Sequence, residues 1–135
     1  SEINKACQAV LAKGLADMGV LTVSAEESMK PEIGLHRRWT LHGVSHHLGL
    51  DVHDCAQARK EEYLDAPLRE GMVLTVEPGL YIQPDDELFA PEYRGIGIRI
   101  EDDVVVTADG CRNISENIPR HPDEIEKWMK AVLGR

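Results

Sequence analysis

GMVLTVEPGLY, residues 71–81, combines a β-strand pattern with a turn signal. Its first part, from residue 72 to residue 77, is β-branched and apolar, as strands commonly are. Side chains alternate along a strand, so Val73, Thr75 and Glu77 are expected on one face. Pro78 and Gly79 follow directly, a pair suited to the centre of a type II turn. The stretch therefore predicts a strand that ends in a carboxylate.

Further strand patterns follow this turn. Residues 80–82 resume an extended pattern, and after an acidic loop two more runs, 97–101 and 103–107, have strand character. Ala108-Asp109-Gly110 then predicts a tight turn. Strands joined in this way pair in antiparallel fashion, so a curved antiparallel sheet is expected.

Helical periodicity marks both ends of the chain. Apolar residues recur at helical spacing from residue 3 to about residue 20, and Gly19 is expected to end that helix. Near the other end, apolar positions 125, 128, 129 and 132 form a stripe. Asp123 and Glu126 are expected to cap this second helix, and Gly134 to close it. Helices that flank an antiparallel sheet give the α+β class.

Two intervening segments are predicted to have little regular structure. Ser24-Ala25-Glu26-Glu27 has the spacing of a capping box, but Pro31 follows closely, so a short helix and a solvated loop are equally good interpretations. The polar stretch 57–70 is expected to be a surface loop with about one helical turn.

Composition excludes several classes of partner. The 135 residues, 42% of them hydrophobic, suffice for one globular unit. The net charge of -9 repels nucleic acids and anionic membrane surfaces, so neither is an expected partner. Cys7, Cys55 and Cys111 lack disulfide or zinc-site spacing, which favours a reducing cytoplasm. Apolar runs are too short to span a membrane, and the start lacks a signal-peptide pattern.

His42, His46 and His53 lie in a stretch rich in His and Gly, residues 41–54. The first two have the spacing of paired ligands on a helix, but no glutamate of an HExxH zinc protease lies between them. Gly43 and Gly49 argue against a rigid helix, so the imidazoles are expected on a turn and a strand that line one cleft. A single His is more often an ordinary packed or surface residue. The clustering favours a functional role.

Glu77 and Glu101 are the candidate carboxylates. Alternation puts each on the polar side of an apolar strand, Glu101 on the same side as Arg99. A buried carboxylate is costly unless it is paired or bound to a metal. An ion pair of Glu101 with Arg99 or another basic residue is therefore the alternative to a metal site. Histidine nitrogen and carboxylate oxygen without thiolate would suit Mn, Co, Zn or Fe.

Three longer motifs narrow these alternatives. HGVSHHLGLDVHD at 42–54, GMVLTVEPGLY at 71–81 and YRGIGIRIEDD at 93–103 occur in this order. Together they resemble the bacterial-type aminopeptidase P branch of the pita-bread metallopeptidases. The resemblance is distinctive over residues 41–107, and the flanking helices fit the same fold. It implies that residues 1–135 form the C-terminal portion of a pita-bread catalytic domain.

The activity implied by the resemblance is that of a metal-dependent Xaa-Pro aminopeptidase. Such an enzyme releases the N-terminal residue from peptides with proline at the second position. His46 and Glu77 would bind one of two divalent metal ions, and Glu101 would bridge both. Manganese is the expected metal, with cobalt, zinc or iron as alternatives.

Three further residues receive roles from the resemblance. His42 and His53 would be catalytic, because they would orient the scissile carbonyl and hydrogen-bond the substrate or the developing anion. Arg99 would hold the metal-binding carboxylates in their rotamers. Tyr81 receives no role.

The chain departs from the family pattern in two respects. His47 stands where this branch often has a large aromatic residue, which alters the shape of the apolar pocket. The family also takes two ligands from aspartates on a hairpin upstream of the first helix, and neither that half of the domain nor the N-terminal domain is expected within residues 1–135. Three ligands cannot complete a dinuclear site, so weak metal binding, inactivity of this chain alone and a homo-oligomer that covers exposed edges are expected.

Other members of the fold give the competing interpretations. A prolidase shares the ligands but cleaves only dipeptides. Metal-free scaffolds and creatinase use the same fold without the ions. The presence of His46, Glu77 and Glu101 disfavours both metal-free alternatives.

Overall fold

The computed structural model describes residues 1–55 and 57–134 and has an α+β architecture. Its helices are α1 (Glu2–Asp17), α2 (Ala25–Ser28) and α3 (Pro122–Leu133). Its strands are β1 (Val73–Val76), β2 (Gly79–Tyr81), β3 (Gly97–Arg99), β4 (Asp102–Thr107) and β5 (Gly110–Asn113). Short 3₁₀ helices span Leu35–Arg38, Lys60–Glu62 and Pro91–Tyr93.

The strands form two antiparallel sheets. One has the order β1-β4-β5, and the other consists of β2 and β3. In the larger sheet Val76 lies opposite Asp102, and in the smaller one Gly79 lies opposite Arg99. The connection from β4 to β5 is the predicted tight turn. The α+β class and the antiparallel pairing are therefore confirmed.

The predicted type II turn at Pro78-Gly79 is wrong. Gly79 lacks the positive φ that such a turn requires at its third position. The chain does not reverse there, because β1 pairs with β4 whereas β2 pairs with β3. Pro78 lies in the link at which the chain leaves one sheet and enters the other.

Helix α1 packs one side against the rest of the chain. Its buried residues Gln8, Ala12 and Leu15 follow helical spacing. The Ser1 hydroxyl accepts a hydrogen bond from the backbone N–H of Asn4 at the helix start. The helix ends earlier than predicted, at Asp17, and Gly19 follows with a φ of 74°.

Helix α3 begins differently from the prediction. Pro122 occupies its first turn, and its N-cap position, His121, makes no side-chain capping bond, so the predicted Asp123 cap is wrong. Gly134 closes the helix in the left-handed conformation, as predicted. The apolar stripe is largely exposed, with Trp128 55% and Val132 65% accessible. Periodicity therefore identified the helix although the stripe is not packed away.

The two uncertain segments have short helical turns. Ser24 caps α2 by accepting a hydrogen bond from the backbone N–H of Glu27, so the helical interpretation is correct. The polar loop contains the single helical turn Lys60–Glu62. No helix in residues 1–55 and 57–134 has the length and apolar character needed to cross a membrane.

The buried core joins the first helix to the strand region. Leu15, Trp39, Ile82 and Phe89 form its centre, and the rings of Trp39 and Phe89 meet edge to face with centroids 5.5 Å apart. The Trp39 indole N–H donates to Asp86 over 2.7 Å. Packing of Trp39 fixes the segment that leads into the histidines.

Asp86 is a buried carboxylate that ties a loop to this core. Besides the indole N–H of Trp39, it accepts hydrogen bonds from the Arg38 guanidinium and from the backbone N–H of Leu88. The hydrogen bond from Arg38 is the main reason that the pKa of Asp86 is lowered from 3.8. The carboxylate is thus more stable ionised in the folded chain than in the unfolded chain.

We predict that Asp86→Asn destabilises the protein at pH 7 by about 1–3 kcal/mol, because the charged hydrogen bond to Arg38 is lost. A depressed carboxyl pKa stabilises the fold above the unfolded value of 3.8 and loses that effect as pH falls below it. The difference in unfolding free energy between the parent and the variant should therefore shrink from pH 5 downward. Urea titrations at a series of pH values measure this difference in unfolding free energy. A difference that does not depend on pH would contradict the stabilising role of the ionised Asp86 carboxylate.

Candidate metal centre

The segment 44–48 runs antiparallel beside β1 and brings the histidines to the sheet. The backbone N–H of Glu77 donates to the carbonyl of Val44, and that of Thr75 donates to the carbonyl of His46. His47 bridges Leu74 in the same register. The strand β1 is therefore paired on both sides, with β4 on the other.

His46, Glu77 and Glu101 converge. Each offers one ligand atom, and these atoms lie within 4.8 Å of one another. The closest pair is Nε2 of His46 and Oε1 of Glu77, which are 3.2 Å apart. The side chains of His46 and Glu77 are only 14% and 10% exposed.

The two ring nitrogens of His46 have different roles. Nδ1 lies 3.0 Å from the carbonyl oxygen of His47, which can only accept a hydrogen bond, so Nδ1 carries a proton. Nε2 then either donates a second proton to Glu77 or offers its lone pair to a cation. A carbonyl that fixes the tautomer in this way is the usual companion of a metal-binding imidazole.

Glu77 is held by several neighbours. The Thr75 hydroxyl donates to Oε1 over 3.3 Å, and Nε of Arg99 lies 3.7 Å from Oε2. Arg99 reaches this carboxylate because its strand position is directly opposite Gly79, two residues beyond Glu77. Arg99 thus pairs with a carboxylate of the site, and that carboxylate is Glu77, although strand alternation placed Arg99 beside Glu101.

Glu101 differs from its predicted setting. It lies in the link between β3 and β4, not within a strand, and it is exposed. Strand β3 ends at Arg99 because the chain passes there from the smaller sheet to the larger one. The carboxylate nevertheless reaches the other two ligand atoms.

His53 lies beside His46 because the intervening loop folds back. Its ring centroid is 4.4 Å from that of His46, in an edge-to-face contact. The backbone N–H of Asp54 donates to the carbonyl of His47, which closes the loop. A Cβ at Gly49 would meet the Asp54 carboxylate, so a larger residue there would have to displace that side chain.

His42 pairs with Tyr81. Its Nε2 lies 2.7 Å from the Tyr81 hydroxyl, and its Nδ1 lies 2.7 Å from the carbonyl of Gly43. The carbonyl fixes the proton on Nδ1, so Nε2 accepts from the phenol. Both nitrogens are occupied in this arrangement, so a further partner of Nε2 would have to displace the Tyr81 hydroxyl.

A pocket of about 620 Å³ adjoins this cluster. His46, His47, Tyr63 and Leu74 belong to its lining. The ring of His47 meets that of Tyr63 edge to face at 5.0 Å, so an aromatic contact is present where the resemblance led us to expect an altered pocket. His42 and His53 lie outside this lining, so the predicted single cleft with all three histidines is not the pocket seen here.

The donor set fits a divalent cation. One imidazole nitrogen and two carboxylate oxygens, with no thiolate, are ligands that Mn, Co, Zn and Fe accept. The proton on Nδ1 of His46 leaves the nitrogen that faces Glu77 as the ligand atom. A dinuclear site needs more donors than these three side chains supply.

Comparison with known proteins shows the family to which the chain belongs. Residues 1–108 match the model of metallopeptidase family M24, and the chain belongs to that family. It is 56% identical over 133 residues to Xaa-Pro aminopeptidase 1 of Streptomyces coelicolor, an alignment that covers 98% of this chain and 27% of that protein.

Solved structures give the same result. Aminopeptidase PepP of Pseudomonas aeruginosa superposes with a TM-score of 0.84 at 38% identity, over 98% of this chain and 29% of that one. The zinc-substituted aminopeptidase P of Escherichia coli in complex with product gives a TM-score of 0.82 at 43% identity, over 96% of this chain and 28% of that one. The chain has the pita-bread fold of these enzymes and spans less than a third of their length.

Two residues of the site were not singled out by the sequence. Tyr81 was assigned no role, yet it hydrogen-bonds His42. Thr75 was placed by alternation on the face of Glu77, but its contact with His46 depends on a tertiary pairing. Only the second residue had a usable sequence signal.

We predict that Gly79→Ala destabilises the chain by about 1–3 kcal/mol through overpacking. A Cβ there would lie 2.6 Å from the Tyr81 hydroxyl and 2.8 Å from Nε2 of His42. NMR signals of the His42 ring should shift, because the hydrogen bond to Tyr81 cannot persist at that spacing.

Gly14→Ala is the matched control for this substitution. A Cβ at Gly14 meets nothing within 4 Å, in the interior of α1. Alanine should stabilise the helix there by about 0.5–1 kcal/mol and leave the His42 signals unchanged. If the two substitutions changed the unfolding free energy and the His42 NMR signals equally, close packing of Tyr81 and His42 around Gly79 would be refuted.

Proposed function

We propose that this chain supplies part of the metal centre of an Xaa-Pro aminopeptidase. In this proposal residues 1–135 are the C-terminal portion of a pita-bread catalytic domain. The complete enzyme releases the N-terminal residue from peptides with proline at the second position. The name of the Streptomyces relative and the zinc-substituted Escherichia coli enzyme support this reading.

The convergence of His46, Glu77 and Glu101 carries the proposal. His46 and Glu77 would hold one divalent ion, Glu101 would serve as a ligand to this ion and to a second one, and manganese is the proposed metal. Bound cations of this kind would acidify water, which supplies a nucleophile at neutral pH, and they would also polarise a carbonyl oxygen.

The chain's own residues then orient the reacting groups. Arg99 neutralises the outer oxygen of Glu77 and restrains its rotamer, which keeps the inner oxygen directed at His46. The His53 ring meets the His46 ring edge to face, and His53 is proposed to contact the substrate. His42 is held by Tyr81 until a substrate carbonyl or the developing anion competes for its nitrogen.

The proposal extends to compartment and assembly. The free thiols of Cys7, Cys55 and Cys111 support a reducing cytoplasm. Exposed apolar side chains on β3 and α3, including Ile98 and Trp128, support a homo-oligomer. The substrate is a peptide, and the net charge of -9 argues against nucleic acid.

Activity is tested in a hybrid enzyme. The region of the Streptomyces coelicolor protein that matches this chain is replaced by this sequence, and hydrolysis of an Xaa-Pro peptide is followed with added Mn²⁺. We expect turnover by the hybrid. A folded hybrid without proline-specific hydrolysis would refute the proposed function.

Loss of a residue that only hydrogen-bonds a metal ligand costs roughly 10- to 100-fold in activity. Within the hybrid, Glu101→Gln removes a proposed ligand itself and should therefore lower kcat/KM by more than that. Glu92→Gln removes a carboxylate from the exposed turn Pro91–Tyr93 and serves as the control, with activity near that of the parent hybrid. Equal activities of the two variants would exclude Glu101 from the centre.

The isolated chain is expected to bind Mn²⁺ weakly and to leave Xaa-Pro peptides intact. Its three donors supply about half of the five to six ligands that one such ion prefers. Calorimetric titration with Mn²⁺ and a peptide assay measure both properties. Turnover comparable to that of the hybrid would overturn this expectation.

A further inference from the structure

Thr75 connects His46 and Glu77, the two least exposed members of the candidate metal centre. Its hydroxyl oxygen accepts a hydrogen bond from the backbone N–H of His46 over 3.1 Å. The same hydroxyl donates to Oε1 of Glu77 over 3.3 Å. Thr75 is 1% exposed, so water does not compete for these contacts.

The contact to His46 departs from regular strand pairing. The N–H of Thr75 donates to the carbonyl of His46, as expected where two antiparallel residues face each other. The return bond from the N–H of His46 goes to the hydroxyl of Thr75 in place of its carbonyl. The Thr75 hydroxyl thus takes the place of a backbone carbonyl in the strand pairing, opposite His46, a proposed metal ligand.

The chemistry of threonine suits this position. A hydroxyl is one donor and also an acceptor, so one oxygen can satisfy an N–H and a carboxylate together. The β-branch restricts the χ1 rotamer, which limits where the oxygen lies. Oε1 of Glu77, the oxygen that Thr75 holds, is also the one that faces Nε2 of His46.

We propose that Thr75 is a positioning residue that sets the separation of the His46 and Glu77 ligand atoms before a cation binds. This inference rests on the metal centre proposed above. Thr75 itself contributes no ligand atom to the cation. Its effect, exerted through His46 and Glu77, is expected in the affinity of the chain for the ion and in the coordination geometry of that ion.

The test compares Co²⁺ and Mn²⁺ binding by the 135-residue chain with that of three variants. Thr75→Val keeps the branched shape and removes the hydroxyl, and it should weaken binding about 10- to 100-fold, as loss of a group that holds a metal ligand does. Thr75→Ser keeps the hydroxyl and should restore most of the affinity and the Co²⁺ absorption spectrum.

Thr40→Val is the matched control. Thr40 is also buried, and its hydroxyl donates to the side-chain oxygen of Gln8 over 3.0 Å. This variant should lower thermal stability and leave metal affinity unchanged. Thr75→Val with parental affinity, or Thr75→Ser as weak as Thr75→Val, overturns the inference.

Two further results separate the possible failures. If neither the parent chain nor the hybrid enzyme binds either ion, the proposed metal centre is wrong and the role of Thr75 falls with it. If only the hybrid binds them, the same variants are compared in the hybrid. If Thr75→Val does not fold, hydrogen exchange in the parent chain decides: the His46 amide should exchange far more slowly than that of the exposed Leu50. Fast exchange at His46 would overturn the inference.

Discussion

The pairing of β1 on both of its edges is the constraint on which the site depends. Segment 44–48 is hydrogen-bonded to one edge of β1 in a fixed register, and β4 is paired with its other edge. Residues directly opposite in an antiparallel pair point to the same face, and His46 is opposite Thr75. Thr75 and Glu77 share a face by alternation, so His46, Thr75 and Glu77 must meet. A slip of one residue in this register would send the imidazole to the other face.

A second constraint comes from the passage of the chain between two sheets. The link at Pro78 carries the chain out of the larger sheet immediately after Glu77, and β3 then pairs with β2 in a register that sets Arg99 opposite Gly79. The absence of a side chain at Gly79 leaves the space that Tyr81 and His42 fill. One short link therefore decides where β1 ends, which carboxylate Arg99 pairs with and where His42 is held.

Much of this arrangement could be predicted from local pattern, and the remainder could not for identifiable reasons. Strand alternation placed Thr75 and Glu77 correctly because it depends only on the geometry of one strand. The type II turn at Gly79 was wrong because local turn propensity was outweighed by strand pairing with distant partners. Glu101 was expected within a strand, but β3 stops at Arg99 where the chain changes sheets. The bond between His42 and Tyr81 joins residues 39 positions apart, which no local pattern contains.

The contacts of Glu77 explain how the fold tolerates this carboxylate before a cation binds. A buried carboxylate without partners would shift toward its neutral form or destabilise the chain. Here Oε1 faces His46 and the Thr75 hydroxyl, and Oε2 faces Arg99. Both oxygens of the carboxylate therefore have neighbours among the described residues. A cation held by His46 and Glu77 would also have the carboxylate of Glu101 within reach, while the contacts of Thr75 and Arg99 can stay in place. Because the chain makes these contacts with its own residues, part of the cost of ordering the ligands of a cation would fall on folding and not on binding.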